Sequence, residues 1–352
     1  MTPAGEGQME QSVITRLADG ALVHMTPSEI RADLEEGSAV GAKKAKAPPL
    51  EPGELECLLE IFASNAKFTA VDVGDELILS CDGSGNADVG TRIDELYSYQ
   101  SHLGADLIEL WNSDYSYKAI KAILSFETQI MKNAQLNLVA PLQYGAMPNL
   151  GSYSQPDGPV PNWSVLLPLG RFDEARAAQE EAVEHAVRDM VFVAEGMIDA
   201  GADGMDFDTS GAAGDADFLA TLLAVEEIRR RHPDVGIELG MASEFVLGMH
   251  GELEFHGKRL AGLWPRDQVK VAAEAGVTMF GPAVNVNTTK SVAWNVARSL
   301  AIVKPCVQES PIPVHMNAGM GVGGVPMTAY PPADAVSRMA RAMREVGRLD
   351  GL

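Results

Sequence analysis

The sequence predicts an α/β protein built as a (β/α)8 barrel, incomplete at its C-terminal end and preceded by a hairpin-helix extension. Three observations predict it. From about Tyr97 onward, short apolar runs alternate with amphipathic helical stretches. Strict alternation of this kind demands parallel strands, because each return to the sheet needs a crossover helix. Polar residues stand at the C-terminal ends of most of the strands, all around the set, which is where a barrel of this type places its active site. The chain's 352 residues, 46% hydrophobic, are enough for one large α/β domain or two smaller ones.

Residues 1–95 read as the extension and 96–352 as the barrel. Val13 to Met25 holds two short apolar runs around Asp19-Gly20, a pair that tolerates positive φ and so signals a hairpin. Thr26, Pro27 and Glu29 supply a cap, a first-turn proline and a capping-box acid, so a helix is expected to run to about Glu36 and stop at Gly37. The stretch "AVGAKKAKAPPLEP" reads as a linker, Glu54 to Asn65 as a second helix, and "VDVGDELILSCDGSGNADVG" as irregular, turn-rich structure.

In the barrel, strands are expected at 106–111, 136–142, 204–209, 235–240, 277–282 and 312–317, with helices near 117–133, 173–199, 215–231, 266–275, 289–308 and 332–346. The helix-to-strand junctions share a glycine followed by a short polar-apolar run, and the final "GRLDGL" repeats it. Leu352 is therefore expected inside a seventh strand. A barrel that needs eight would be left with an open edge, which predicts that residues follow.

Composition narrows the function. Acidic residues number 49 against 27 basic, a formal charge of -22. Phosphate binding needs clustered Lys and Arg, so a nucleic-acid partner is excluded and cationic ligands or basic partners are favoured. Cys57, Cys81 and Cys306 are odd in number, widely spaced and without a Cys-x-x-Cys pattern, which argues against a disulfide framework and for the cytoplasm. No apolar run spans a bilayer and no signal peptide opens the chain.

Several stretches carry chemistry. In "GMDFDTSGAAGD", Asp206 and Asp208 lie two apart on one strand and hence on one face; the other reading has Asp208 capping the next helix. Glu238 sits in the otherwise apolar "VGIELG", and a carboxylate there must face a polar site or be paired; Glu244 follows just beyond. His315 and Asn317 share a face of a strand end, although His315 reads equally as a satisfied core histidine. Gly319, Gly321 and Gly324 match a dinucleotide fingerprint only formally, since no helix follows directly. His250, Glu252, Glu254 and His256 alternate as metal ligands on a strand would, but His256-Gly257 reads more simply as a hairpin turn, and no metal is assigned. Asn285 and Asn287 suit substrate hydrogen bonding or helix capping.

Taken together, "YGAMPNLGSY", "GADGMDFDTSGAAGD", "GMASEFVLGMHG", "LAGLWP", "FGPAVNVNTTKSVAWN" and "GMGVGGVPM" resemble the dimethylamine:corrinoid protein methyltransferases, from about Val13 to Leu352. The resemblance implies a barrel that moves one methyl group from dimethylamine to the cobalt of a corrinoid carried by a cognate partner protein, in anaerobic methylamine metabolism and methanogenesis. It implies no cofactor bound directly by this chain and leaves room for a homo-oligomer. Members of the family carry pyrrolysine, encoded by an amber codon shortly after a stretch like "RLDGL", so such a codon is expected after Leu352. Strand-end position assigns Glu244, Asp206, Glu238 and His315 to catalysis, and Asp208, Asn317, Asn285 and Tyr144 to substrate binding. The competing expectations are an inactive product that at most binds the corrinoid protein, and an unrelated barrel lyase or hydrolase.

Overall fold

The computed structural model describes residues 12–71, 80–82, 107–110, 132, 142–146, 150–317, 319–328 and 331–352. They fall into two compact units. One comprises Met1–Gly74, Val284–Gln308 and Asn317–Leu349; the other comprises Asp75–Ala283, Glu309–Met316 and Asp350–Leu352.

The first unit opens with the expected hairpin, β1 (Val13–Arg16) paired antiparallel with β2 (Leu22–Met25). Asp19 shapes its turn by accepting the Ala21 N–H at 2.8 Å. The Thr26/Glu29 capping box then starts α1, Pro27–Ala45. This helix does not stop at Gly37 but continues for two more turns, through much of the supposed linker, to a left-handed Lys46. Gly37 and Gly41 are one helical turn apart and serve close packing rather than termination. A Cβ at Gly37 would stand 2.2 Å from the Trp294 carbonyl, and one at Gly41 2.4 Å from that of Arg298. Both partners lie on the helix Val292–Glu309, so two backbones meet where side chains are missing.

The second helix of the unit, α2, spans Pro52–Phe62 behind a Glu51/Glu54 capping box. Its C-terminal end is held by the buried Arg338 of the helix Ala333–Ala342, whose guanidinium donates to the carbonyls of Ile61, Ser64 and Ala66 at 3.2, 3.0 and 2.6 Å. Carbonyls at a helix end have no partner within the helix, and one planar five-donor group satisfies three in this region.

The second unit contains a parallel sheet. Its strands are β3 (Ser80–Asp82), β4 (Leu107–Leu110), β5 (Leu142–Ala146), β6 (Gly204–Ser210) and β7 (Gly236–Met241). Past a small hairpin of β8 (Glu254–Phe255) and β9 (Lys258–Arg259) comes β10 (Met279–Gly281). The sheet order is β10-β7-β6-β5-β4-β3. Parallel bridges Phe280↔Val314 and His315↔Gly351 add two further positions. The strand count therefore differs from expectation. Ser80–Asp82, in the stretch read as irregular, already pairs in parallel with β4, so Gly351 occupies the eighth position rather than the seventh. Among the described residues no bridge joins β3 to Gly351, and no closed barrel is formed. The strand expected at 136–142 begins at Leu142; the rest of that stretch, and the helix expected at 117–133 apart from Lys132, lie outside the described residues.

Alternation explains β6 and β7. Met205, Phe207, Ile237 and Leu239 are fully buried on one face, while Asp206, Asp208, Glu238 and Gly240 alternate with them on the other. Three helices of this unit, Phe172–Ala200, Asp215–Arg231 and Pro265–Ala275, match expectation within a residue or two. The first and third end on Gly201 and Gly276, both with φ above 100°, a conformation that admits glycine without strain. No helix among the described residues is long and apolar enough to cross a membrane.

The glycine stripe on α1 yields a contrast that urea denaturation can check. Gly37→Ala is expected to cost about 1–3 kcal/mol through overpacking against Trp294. Gly53→Ala, where a Cβ meets nothing within 4 Å, is expected to change stability by less than about 1 kcal/mol.

Candidate active site

The site is built on the polar face of the parallel sheet. Residues in direct register on adjacent parallel strands share a face, and Asp206 of β6 registers with Glu238 of β7, which registers with Met279 of β10. Parallel strands covered on both sides normally carry apolar residues on both faces, so acids placed this way call for an explanation.

Glu238 finds its partner two strand positions away. His315 Nδ1 lies 3.1 Å from Glu238 Oε1, the side chains being 5% and 11% exposed respectively. The strand between them contributes Gly281, whose missing Cβ would lie 3.2 Å from Gly240 Cα and 3.3 Å from the His315 carbonyl. Burial of the imidazole, the strongest influence on it, opposes its charge. The charge and hydrogen bond of Glu238, with a hydrogen bond to the Leu352 backbone, outweigh that and raise the His315 pKa above its ordinary value. His315 is thus not a passive core histidine but half of a buried ion pair. Its strand position is fixed by Asp350, whose Oδ2 accepts the Val314 N–H at 2.9 Å, and by the Met316 N–H donated to the Gly351 carbonyl at 3.3 Å.

Asp208 lies two residues beyond Asp206 and does not cap the next helix. Its Oδ1 accepts the N–H of Thr209 at 2.6 Å. Burial raises its pKa; the Thr209 N–H works against this and the nearby Glu238 charge adds to it. That helix starts at Gly214 without a side-chain cap. Asp215 and Asp217, in the first turn of the following helix, are both fully buried. Asp215 accepts the N–H groups of His250 and Gly251 at 2.9 and 2.6 Å, tying down the segment after β7. Asp217 Oδ2 accepts the Gly211 N–H at 2.9 Å. Complete burial nevertheless pushes the Asp217 pKa up to about 7, against the backbone donors around it.

The remaining predicted residues are placed as follows. Glu244 is half-buried, three residues past the end of β7. Tyr144 registers with Met205; it is Gly145 that aligns with Asp206, so Tyr144 takes a position of the opposite face. Asn285 and Asn317 belong to the other compact unit and are exposed. The Asn285 backbone bridges Val322 and its carbonyl accepts from Arg298 at 3.1 Å. Asn287 takes the capping option, its Oδ1 accepting from Thr289 N–H at 3.1 Å.

The alternating acids and histidines of 250–256 separate. His250 meets Glu180 at 2.7 Å, His256 meets Glu226 at 3.0 Å, and Glu252 meets Arg176 at 3.4 Å. His256 and Gly257, at φ 47° and 76°, make the turn of the β8–β9 hairpin. Among the described residues no group of three or more His, Cys, Asp or Glu could hold a metal ion.

Register also aligns residues that the sequence did not single out: Asp82 with Glu109, Glu109 with Gln143, and Gln143 with Gly204.

Comparison with solved structures finds the homocysteine methyltransferase MmuM from Escherichia coli in its apo form at 15% identity, covering 76% of this chain and 96% of that one with a TM-score of 0.37. A methyltransferase from Methanosarcina mazei matches at 12% identity, covering 77% and 94%, with a TM-score of 0.39. The family model described as dimethylamine methyltransferase (Dimeth_PyL) matches residues 11–352.

Two pH windows should separate the buried groups in denaturant unfolding. Because the His315 pKa is raised in the folded protein, the stabilisation from its pair is full below 6.5 and is lost as pH rises through the folded value. His315→Gln is expected to flatten this window and to cost about 3–5 kcal/mol by leaving Glu238 unpaired. Asp217, raised from 3.8 to about 7, contributes stability that is present below the lower value and gone above the upper one. Asp217→Asn should remove that slope and leave the His315 window intact.

Proposed function

The chain belongs to the dimethylamine methyltransferase family, and from that membership we propose that it takes a methyl group from dimethylamine and passes it to the cobalt of a corrinoid carried by a separate protein. Methyl transfer is the activity the family shares. The amine, the corrinoid and its carrier are our reading of this chain's site.

One observation supports the reading most. Among the described side chains, the sheet face carries three carboxyl groups, Asp206, Asp208 and Glu238, against the imidazole of His315. A secondary amine is protonated at neutral pH, and a small cation suits a face where carboxyls outnumber their described counter-charge. Glu238 is held by His315 and cannot swing out to solvent, so its free oxygen has a fixed direction. A partly buried carboxylate in fixed geometry binds an ammonium N–H more strongly than a mobile surface acid does, because less ordering is needed on binding.

The corrinoid, held by the partner, would supply the electron pair that takes the methyl group, while the C–N bond breaks and monomethylamine leaves with its electrons. This chain's residues seat and orient the amine. Asp206 and Glu238 accept its N–H groups, and the apolar underside of β6 and β7 keeps the sheet rigid beneath them. In this reading the partner covers the polar face that carries the acids. Cys57 carries a free thiol, which suits a cytoplasmic setting.

Titration calorimetry with dimethylammonium chloride, using ammonium chloride as the control for ionic strength, tests the assignment. Saturable binding is expected in the wild-type protein, and Glu238→Gln should weaken it about tenfold or more, the magnitude of one charged hydrogen bond. An absence of saturable heat with the wild-type chain would sink the amine assignment.

A further inference from the structure

We propose that Gly240 is a positioning residue of this site: the space left by its missing side chain is the seat into which the Asp208 carboxyl folds, beside Glu238. The inference rests on reading this face as the functional site, but its geometry is independent of the ligand.

Two features from different strands converge on one oxygen. On β7, a Cβ built at Gly240 would fall 2.8 Å from Asp208 Oδ1 and 3.7 Å from its Cγ. Any larger residue at 240 must push the carboxyl away. On β6, the same Oδ1 accepts the N–H of Thr209 at 2.6 Å. Thr209 makes that bond from φ 53°, a left-handed conformation that is a true outlier for a β-branched residue. The pairing of β6 with β7 shifts register between Phe207 and Ser210, at this point. A bulge on one strand and a missing side chain on its neighbour thus fix one carboxyl.

The arrangement distinguishes the two oxygens of Asp208. Oδ1 is committed to the Thr209 N–H, so Oδ2 is the oxygen a proton would take. Burial, helped by the Glu238 charge, raises the Asp208 pKa and so favours the protonated form. In that form Asp208 offers a hydrogen-bond donor on a face where Glu238, paired with His315, offers an acceptor. Gly240 keeps these two roles apart by holding the Asp208 carboxyl in its buried seat.

Titration of aspartate side-chain carboxyl carbons by carbon-13 NMR tests this, with Asp208→Asn identifying the Asp208 signal. In the wild-type protein that signal is expected to titrate above the ordinary aspartate range, and Gly240→Ala is expected to lower its midpoint as the displaced carboxyl meets water. An unchanged midpoint overturns the proposal. A cycle of Gly240→Ala, Asp208→Ala and the double variant in denaturant unfolding provides a second readout. Alanine at 240 should destabilise the protein that retains Asp208 and have little effect once Asp208 is alanine, so a poorly folding Gly240→Ala protein should be rescued. Equal destabilisation in both backgrounds also overturns the seat. Neither measurement uses the amine, so a failure of dimethylammonium binding counts against the ligand alone.

Discussion

A carboxylate on the face of a parallel sheet survives only if another group compensates its charge, and the pairing of Glu238 with His315 meets that condition here. The pair reaches across β10, from β7 to the segment around Val314, and so it requires the strands to lie in this order and register. Gly281 in the intervening strand lets the backbones crowd together. Asp350 and Gly351 fix the far side through the Val314 and Met316 amides. A shift of one residue anywhere in this set would turn Glu238 toward the buried apolar face. The position of the other acids follows from the same register, since Asp206 is the partner of Glu238 on β6.

The acidic face is anchored by the loops that follow the strands. Asp215 and Asp217 lie just past β6, and their carboxyls collect backbone N–H groups from residues 211 to 251. These are structural acids, distinct from the face residues although close to them in sequence. The difference lies in their partners. Asp215 and Asp217 accept from the backbone around a helix start, whereas Glu238 engages a side chain and Asp208 accepts the N–H of its neighbour Thr209.

The first compact unit is held by small residues and one large cation. Gly37 and Gly41 let α1 lie directly on the backbone of Val292–Glu309. Arg338, nearly fully buried, satisfies carbonyls at the end of α2. Removing that guanidinium would leave the buried Ile61 carbonyl and two less buried neighbours without this donor.

Local signals were legible in the sequence because local interactions create them. The Asp19-Gly20 hairpin, the Thr26 capping box, the His256-Gly257 turn and the alternation in β6 and β7 depend on residues within a few positions of one another. Glu238 could be singled out because the cost of burying an acid in an apolar strand is visible without knowing its partner. Tertiary structure decided the rest. Ser80–Asp82 is too short to show a period, and only pairing with β4 makes it a strand. Gly37 looks like a helix stop until Trp294 packs against it. Tyr144 takes its face from the register of β5 with β6, and His315 became half of an ion pair only when β7 came within reach. Propensity and capping are written residue by residue, but register and charge pairing join residues far apart in the chain, and a single sequence does not record which distant partner each will meet.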